Sequence, residues 1–152
     1  MQEKFKRPFS VLVVIHTPDL KILLLERKDA VGFWQSVTGS LQRGENLLET
    51  AKREVLEETG LDINLHPEYL LKDWETSWQY KIYERWQHRY ASGITYNTEH
   101  VFSLCVPQLE EIIIAPKEHT RYEWVEWSMA AQRVFSPSNQ LAIEQLAHAS
   151  VC

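Results

Sequence analysis

The sequence predicts a mixed α/β (α+β) fold in which strands predominate and helices lie in the middle and at the end of the chain. Short runs rich in Val, Ile and Leu alternate with turn residues in the N-terminal quarter, a pattern typical of strands. Residues 45–59 contain no Gly or Pro and favour a helix. With 152 residues, 44% of them hydrophobic, the chain can bury a core, and we expect one domain over residues 1–152.

The N-terminal part predicts a β-hairpin followed by a further short strand. Residues 9–16 and 20–26 are apolar and flank Thr17-Pro18-Asp19, a turn sequence, and residues 33–38 form the next strand candidate. Basic residues before the first run imitate a secretory signal. That run is short and no small-residue cleavage site follows it, so a strand is the expected structure.

A helix is predicted for Glu45–Thr59, and Gly60 follows where a C-terminal cap belongs. Leu48, Ala51 and Val55 recur at helical spacing and form a stripe that we expect to pack on the sheet.

The second half of the chain is predicted to contain several strands and to end in helices. The predicted features are strands with polar breaks over residues 61–106, including a loop at 89–100; short strands at 112–114 and 122–125; a helix capped by Ser128; and a last helix over 138–148.

Charge and cysteine content exclude several kinds of partner. The formal net charge is −5 and no long basic run exists, which argues against a duplex nucleic-acid partner. No apolar run approaches the length of a membrane-spanning helix. Cys105 and Cys152 are far apart in sequence and form no CxxC motif. We therefore expect reduced cysteines, a cytoplasmic location, and neither a nucleic-acid nor a membrane partner.

The predicted helix has an acidic face. Glu54, Glu57 and Glu58 are one turn apart, and such like charges cost about 0.2–0.5 kcal/mol per pair unless something neutralises them. Mg²⁺ prefers oxygen ligands and is often held by carboxylates together with substrate phosphates. A solvated charged face would show the same spacing. The preceding glycine-bracketed loop, Gly39 to Gly44, favours the metal because it permits close backbone approach to a phosphate.

Residues 39–61 resemble the Nudix box, GX5EX7REUXEEXGU with U aliphatic, and every defined position is met. The resemblance implies an α/β/α sandwich with a mixed sheet, whose loop-helix-loop binds a divalent metal, and cleavage of a nucleoside diphosphate linked to another group. It implies Glu54, Glu57 and Glu58 as metal ligands, with Mg²⁺ as cofactor and Mn²⁺ as a substitute, and one carboxylate near the nucleophilic water.

The same resemblance implies supporting roles for the other fixed positions of the box. Arg53 would orient a catalytic carboxylate, and Glu45, Gly44 and Gly60 would support the loop and the helix ends.

Outside the box the chain is similar to a Nudix subgroup, the bacterial dihydroneopterin triphosphate diphosphatases of folate biosynthesis. The similarity lies in Lys6-Arg7-Pro8, residues 33–39 (FWQSVTG), His88-Arg89-Tyr90-Ala91, Asn97-Thr98-Glu99 and residues 142–145 (AIEQ). The segments SGITYN and PQLEEIIIAPKEH differ from the subgroup.

By this similarity Lys6, Arg27, Thr38, Gly39 and Ser136 are candidate substrate contacts. Lys6 and Arg27 could equally be solvated residues at strand ends, and Ser136 an ordinary turn residue.

Four further residues have two readings each. Glu118 matches a metal ligand contributed from outside the box, or is a loop glutamate without a role. Arg89 and Tyr90 either contact substrate or brace their loop. Trp34 is a stacking platform or part of the core.

The expected activity is Mg²⁺-dependent hydrolysis of 7,8-dihydroneopterin 3'-triphosphate, a small-molecule triphosphate, to the monophosphate and pyrophosphate. The first alternative is a Nudix (d)NTP diphosphatase acting on dATP-like or oxidised nucleotides, because pterin and purine are both flat bicycles. The second is a catalytically inactive nucleotide-binding module, which the complete box argues against.

Overall fold

The computed structural model describes residues 4–149 and 152. Its strands are β1 (Phe9–His16), β2 (Lys21–Arg27), β3 (Trp34–Gln35), β4 (Val37–Ser40), β5 (Leu70–Lys81), β6 (Tyr96–Cys105) and β7 (His119–Glu126). Its α-helices are α1 (Leu47–Thr59), α2 (Trp127–Arg133) and α3 (Pro137–Ala147), and short 3-10 helices lie at Ile63–Leu65 and Glu84–Arg89.

Strand β1 is central in a mixed sheet. It pairs in parallel with β6 along its whole length, and β5 continues the sheet beyond β6. On its other edge β1 meets β2 only at His16 and Ile22, and antiparallel β4 pairs with its first half, with Val11 opposite Gly39. Strand β2 pairs with β7 and β3. The phosphate-loop residues that end β4 are therefore fixed beside the beginning of β1.

The two faces of the sheet are covered by different helices. Successive strand residues point to opposite faces, so Val11 and Val13 pack with Ala51 of α1, whereas Leu12 packs with Ile143 of α3. This arrangement confirms the predicted α/β/α sandwich. None of the described helices is both long and apolar enough to cross a membrane.

Helix α1 has a complete cap at each end. The Asn46 side chain accepts the Glu49 N–H, and the Glu49 side chain accepts the Asn46 N–H, which forms a capping box. Gly60 takes a left-handed conformation (φ 78°), as predicted for the C-terminal cap. Because Asn46 is the cap, the helix begins at Leu47, two residues later than predicted.

The apolar stripe of α1 differs by one residue from the prediction. Ala51 and Val55 are fully buried against the sheet, but Leu48 is 46% exposed. Leu47 packs against the core in its place. The prediction for Leu48 was wrong because the face that packs on the core runs through Leu47, Ala51 and Val55, each four residues apart.

Other predicted elements shift for identifiable reasons. Residues 33–38 form two strands, not one, and Ser36 between them donates its N–H to the buried Asn139 side chain (2.9 Å). Residues 112–114 form no strand; the Ile113 N–H bonds to Thr59 O at the end of α1. The predicted loop 89–100 ends early because β6 begins at Tyr96.

Side-chain caps also correct the prediction at the C-terminal helices. Glu126 caps α2, and Ser128 donates to its side chain instead of acting as the cap. Ser136 caps α3, so that helix begins at Pro137.

The expectation of two separate, reduced cysteines was wrong. Cys105 and Cys152 form a disulfide across 47 positions, with their Cα atoms 6.1 Å apart. Cys105 is buried at the end of β6, beside which Cys152 returns. Sequence spacing could not show this proximity because it depends on the path of the chain after α3.

Candidate active site

Two adjoining cavities lie at the end of the sheet where β4 and α1 meet. The larger, the acidic cleft, has a volume of about 970 Å³ and contains Glu54, Glu57, Glu58 and Glu118 together with many cations. The smaller, the aromatic pocket, has a volume of about 420 Å³. Seven residues line both cavities: Lys6, Arg27, Gln35, Thr38, Gly39, Ser40 and Arg89.

Arg53 connects the phosphate loop to the acidic helix. Its Nε and Nη2 donate to the two oxygens of Glu45 (2.6 and 3.0 Å), and its Nη1 donates to Glu54 (2.6 Å) and Glu57 (3.2 Å). Nη2 also donates to the Ser40 carbonyl (3.0 Å). Burial lowers the pKa of Arg53, but the ion pairs with Glu45 and Glu54 outweigh it and raise the pKa overall. The guanidinium therefore remains charged and fixes these carboxylates.

Glu54 and Glu58 form a buried carboxyl pair, only 7% and 1% exposed. Burial is the main reason that the pKa of each is raised, and the nearby Glu54 raises that of Glu58 further. Glu58 Oε1 is buried with no hydrogen-bond partner among the described residues. Glu57, by contrast, has a half-exposed side chain. Arg53 neutralises Glu54 only, and a divalent cation would supply the positive partner that Glu58 Oε1 lacks among the described residues.

Glu118 and His119 complete the acidic cleft from the start of β7. Glu58, Glu118 and His119 each offer one ligand atom within 4.8 Å of the others, and His119 Nε2 lies 3.8 Å from Glu58 Oε1. Burial and then the nearby Arg27 lower the pKa of His119 to about 4, so the imidazole is neutral at pH 7. The carboxylates of this cluster suit a hard divalent cation. Sequence reasoning gave His119 no role; only its position beside Glu118 distinguishes it.

Gly39 lies directly against the Glu54 side chain. A Cβ atom added there would lie 2.0 Å from Glu54 Cδ and 2.4 Å from its Cγ. Only glycine allows the strand to approach Glu54 so closely. Gly44 meets a different need, because it turns the loop with a φ of +83° and has open space around it.

Asp29, which sequence reasoning missed, organises the cations between the two cavities. Its carboxylate accepts from Arg27 (2.7 and 2.9 Å), Arg89 (2.7 Å) and Trp86 Nε1 (3.0 Å). The Arg27 hydrogen bond is the main reason that the pKa of Asp29 is held far below its usual range. Lys6 is held beside them, since its N–H donates to Arg89 O (2.9 Å).

Aromatic side chains form one wall of the smaller cavity. Tyr83 stacks on Trp86 (centroids 5.3 Å apart, planes at 10°), Phe135 lies against both rings, and Arg27 lies 4.3 Å above Trp86. Ser136 lines the same pocket. Sequence reasoning missed this wall because its members come from distant segments.

The structure places Thr38 at the cavities and Trp34 in the core. Thr38 accepts a hydrogen bond from Gln35 (3.3 Å) and lines both cavities. Trp34 is 6% exposed and belongs to the core, so the core reading of this residue is correct.

Comparison with known proteins agrees with this geometry. A family model described as NUDIX domain matches residues 6–146. The chain belongs to the Nudix family. The dihydroneopterin triphosphate diphosphatase of Escherichia coli K12 is 42% identical over 147 residues, covering 95% of this chain and 96% of that protein. The protein of the same name from Haemophilus influenzae is 38% identical over 143 residues, covering 93% of this chain and 89% of the relative.

A solved structure is similar over nearly the whole chain. The E. coli dihydroneopterin triphosphate pyrophosphohydrolase superposes with a TM-score of 0.90 at 40% identity, covering 97% of this chain and 100% of the other. The prediction of a Nudix hydrolase is therefore confirmed, and a divalent-metal requirement is general in this family. The individual roles of all predicted site residues stay predictions, those of the box residues and of Lys6, Arg27, Thr38, Ser136 and Glu118 alike.

Proposed function

We propose that this Nudix chain is a Mg²⁺-dependent pyrophosphohydrolase of folate biosynthesis that converts 7,8-dihydroneopterin 3'-triphosphate to dihydroneopterin monophosphate and pyrophosphate. The observation that supports it best is the union of the two cavities, because a carboxylate cluster and a pocket with an aromatic wall share seven lining residues. Such a site suits a flat ring joined to a polyphosphate. The relatives named for this activity support the choice of ring.

Glu54, Glu57, Glu58 and Glu118 are the proposed metal ligands. Bound Mg²⁺ would polarise a phosphoryl oxygen and neutralise the triphosphate. The buried Glu58 Oε1, which has no hydrogen-bond partner among the described residues, supports this assignment because a bound cation would satisfy it. Arg53 would hold Glu54 in place through their 2.6 Å ion pair.

Glu57 is the proposed acceptor of the proton from the attacking water. It is 52% exposed and has one longer contact with Arg53, so its carboxylate is open to water. Glu54 is held by Arg53 (2.6 Å) and Glu58 is fully buried, so neither carboxylate is as open to water. One water is consumed, the anhydride bond between the α and β phosphates breaks, and the two outer phosphates leave as pyrophosphate.

Lys6 and Arg27 are the proposed grips on the triphosphate. Both line the acidic cleft and the aromatic pocket, where a phosphate chain leading from a bound ring would pass. Cationic donors bind phosphate oxygens with charge-assisted hydrogen bonds. Thr38, Gly39 and Ser136 are the proposed polar contacts, with Ser136 on the ring side of the site. A cytoplasmic location is part of the proposal because a triphosphate anion does not cross a membrane unaided; reduced cysteines no longer support it, since Cys105 and Cys152 form a disulfide.

A Nudix (d)NTP diphosphatase is the second candidate. The stacked Tyr83 and Trp86 rings favour any flat bicycle, so they suit a purine as well as a pterin. The two activities are distinguished by which substrate, the pterin triphosphate or dATP, has the higher kcat/KM.

The decisive experiment measures pyrophosphate release from the pterin triphosphate and from each dNTP, with Mg²⁺ and with excess chelator. We expect the highest kcat/KM for the pterin triphosphate and no release without metal. A clear preference for a dNTP would establish the second candidate instead. No release from any triphosphate would leave a binding module.

Glu57→Gln provides the matched test of the acidic cleft. The variant should fold normally, because this side chain is half exposed, and should lose several orders of magnitude in kcat. Glu144→Gln on α3, away from both cavities, is the control and should match the wild type.

A further inference from the structure

The aromatic pocket has a polar floor that the proposed catalysis does not use. Glu99 and Asn97 lie two residues apart on β6, and Trp78 and Tyr80 lie directly opposite them on β5. Residues two apart on a strand point to the same face. All four line the pocket, and Ser10 of β1 lies beside Glu99. The floor therefore presents hydrogen-bonding groups to whatever the pocket holds.

Glu99 is a buried carboxyl without a cationic partner. It is 4% exposed, and within the described chain its one hydrogen-bond partner is Ser138, whose hydroxyl donates to Oε1 (2.7 Å). Burial raises the pKa of Glu99. A buried carboxyl with one donor is far from satisfied, because its two oxygens can accept about four hydrogen bonds. The missing donors would come from a ligand.

Unpaired polar atoms near Glu99 argue against a purely structural role for this residue. Asn97 Nδ2 donates to Ser10 (2.7 Å) and Tyr80 (3.1 Å), which fixes the amide, but Asn97 Oδ1 has no partner within the described chain. Trp78 Nε1 is also unpartnered there. Unmet polar groups this close to Glu99 indicate a floor whose hydrogen bonds are not completed by packing within the described chain. Glu99 itself lines the pocket and can meet a polar ring edge.

We propose that Glu99 is a specificity-determining residue that accepts hydrogen bonds from the amino group of the substrate's bicyclic ring. This inference rests on the proposed function and deepens it. A 2-amino-4-oxo pterin presents amino hydrogens to the carboxyl oxygens. A 2,4-dioxo ring of the same size presents a carbonyl oxygen at that position, which repels the carboxyl and leaves it unmet.

Direct binding tests the inference without turnover. Fluorescence titrations of the wild-type chain with pterin and with lumazine, its 2,4-dioxo counterpart, measure the two Kd values. We expect pterin to bind about 10- to 100-fold more tightly, the discrimination typical of a good hydrogen-bonded pair. Equal Kd values in the wild type would overturn the inference, whatever any variant does.

Glu99→Leu identifies the residue responsible. The Kd ratio of lumazine to pterin should fall toward one, because both rings then meet an apolar side chain. An unchanged ratio would overturn the inference. His100→Gln is the control: it changes the next residue of β6, on the opposite face and outside both cavities, and should keep the wild-type ratio.

The two proposals fail in different ways. If the wild-type chain releases no pyrophosphate from the pterin triphosphate, the proposed function is refuted. Normal turnover with equal pterin and lumazine binding would refute only the role of Glu99.

Discussion

Replacing Gly39 by alanine tests how closely strand β4 must approach the acidic face of helix α1. The new Cβ would lie 2.0 Å from Glu54 Cδ and 2.4 Å from Cγ, whereas non-bonded carbon atoms pack at about 3.5–4.0 Å. The Glu54 carboxyl must therefore move by roughly 1.5 Å. A shift of this size would strain or break its 2.6 Å ion pair with Arg53.

Two magnitudes follow from this displacement. A misplacement of about 1 Å in a catalytic group can cost about 100-fold, so we expect kcat to fall at least 100-fold. Loss of a charge-assisted hydrogen bond costs about 1.5–3 kcal/mol, which should appear in the free energy of unfolding. The backbone of Gly39 has no positive φ, so the effect comes from the clash alone.

The assay combines pyrophosphate release at saturating substrate, titration with Mg²⁺ and urea denaturation. Gly93→Ala is the matched control, since Gly93 has a φ of +88° and open space around it. That variant should lose about 1–2 kcal/mol from backbone strain but retain its activity. If Gly39→Ala keeps kcat within about threefold of the wild type at the same Mg²⁺ concentration, the reasoning is refuted.

Three further outcomes are expected. Glu58→Gln should raise the stability of the metal-free protein while abolishing activity. Because burial raises the pKa of Glu58 above 4.5, the wild type should lose more stability than the variant as pH rises beyond 4.5. Urea unfolding at pH 5 and pH 8 measures this, and an equal change in stability for the two proteins would contradict it. Lys6→Ala should raise KM about 10- to 100-fold with a smaller change in kcat, whereas the control Lys52→Ala should change neither; steady-state kinetics in which kcat falls more than KM rises would exclude a purely gripping role. Cys152→Ser should lower the free energy of unfolding by up to about 4 kcal/mol without reductant and by nothing with it, and equal stability of the two proteins without reductant would show that the bond does not form in solution.

Helix α1 and its acidic face could be predicted from sequence because their determinants are local. The spacing of Glu54, Glu57 and Glu58 and the cap at Gly60 are properties of one continuous segment. What spacing could not show was that two of these carboxylates are buried and the third is exposed, because burial depends on the sheet beneath the helix.

The aromatic pocket could not be predicted because its residues come together only in the folded chain. Tyr83 and Trp86 follow β5, Phe135 precedes α3, and Glu99 lies on β6. Each is unremarkable in its own sequence neighbourhood. Asn97-Thr98-Glu99 was noticed only as a resemblance, and the register of β5 with β6 places it opposite Trp78 and Tyr80. The disulfide escaped prediction for the same reason.

The lining residues common to both cavities set the distance between the aromatic pocket and the acidic cleft. Lys6, Arg27 and Thr38 stand at the junction, with the carboxylates on one side and the aromatic wall on the other. In the proposed binding mode, a ligand that spans this junction would be anchored at its ring, so the length of its linker would decide which phosphorus reaches the acidic helix. Cleavage position would then be set by distance, and we expect an extra atom between ring and phosphate to change the product rather than merely weaken binding.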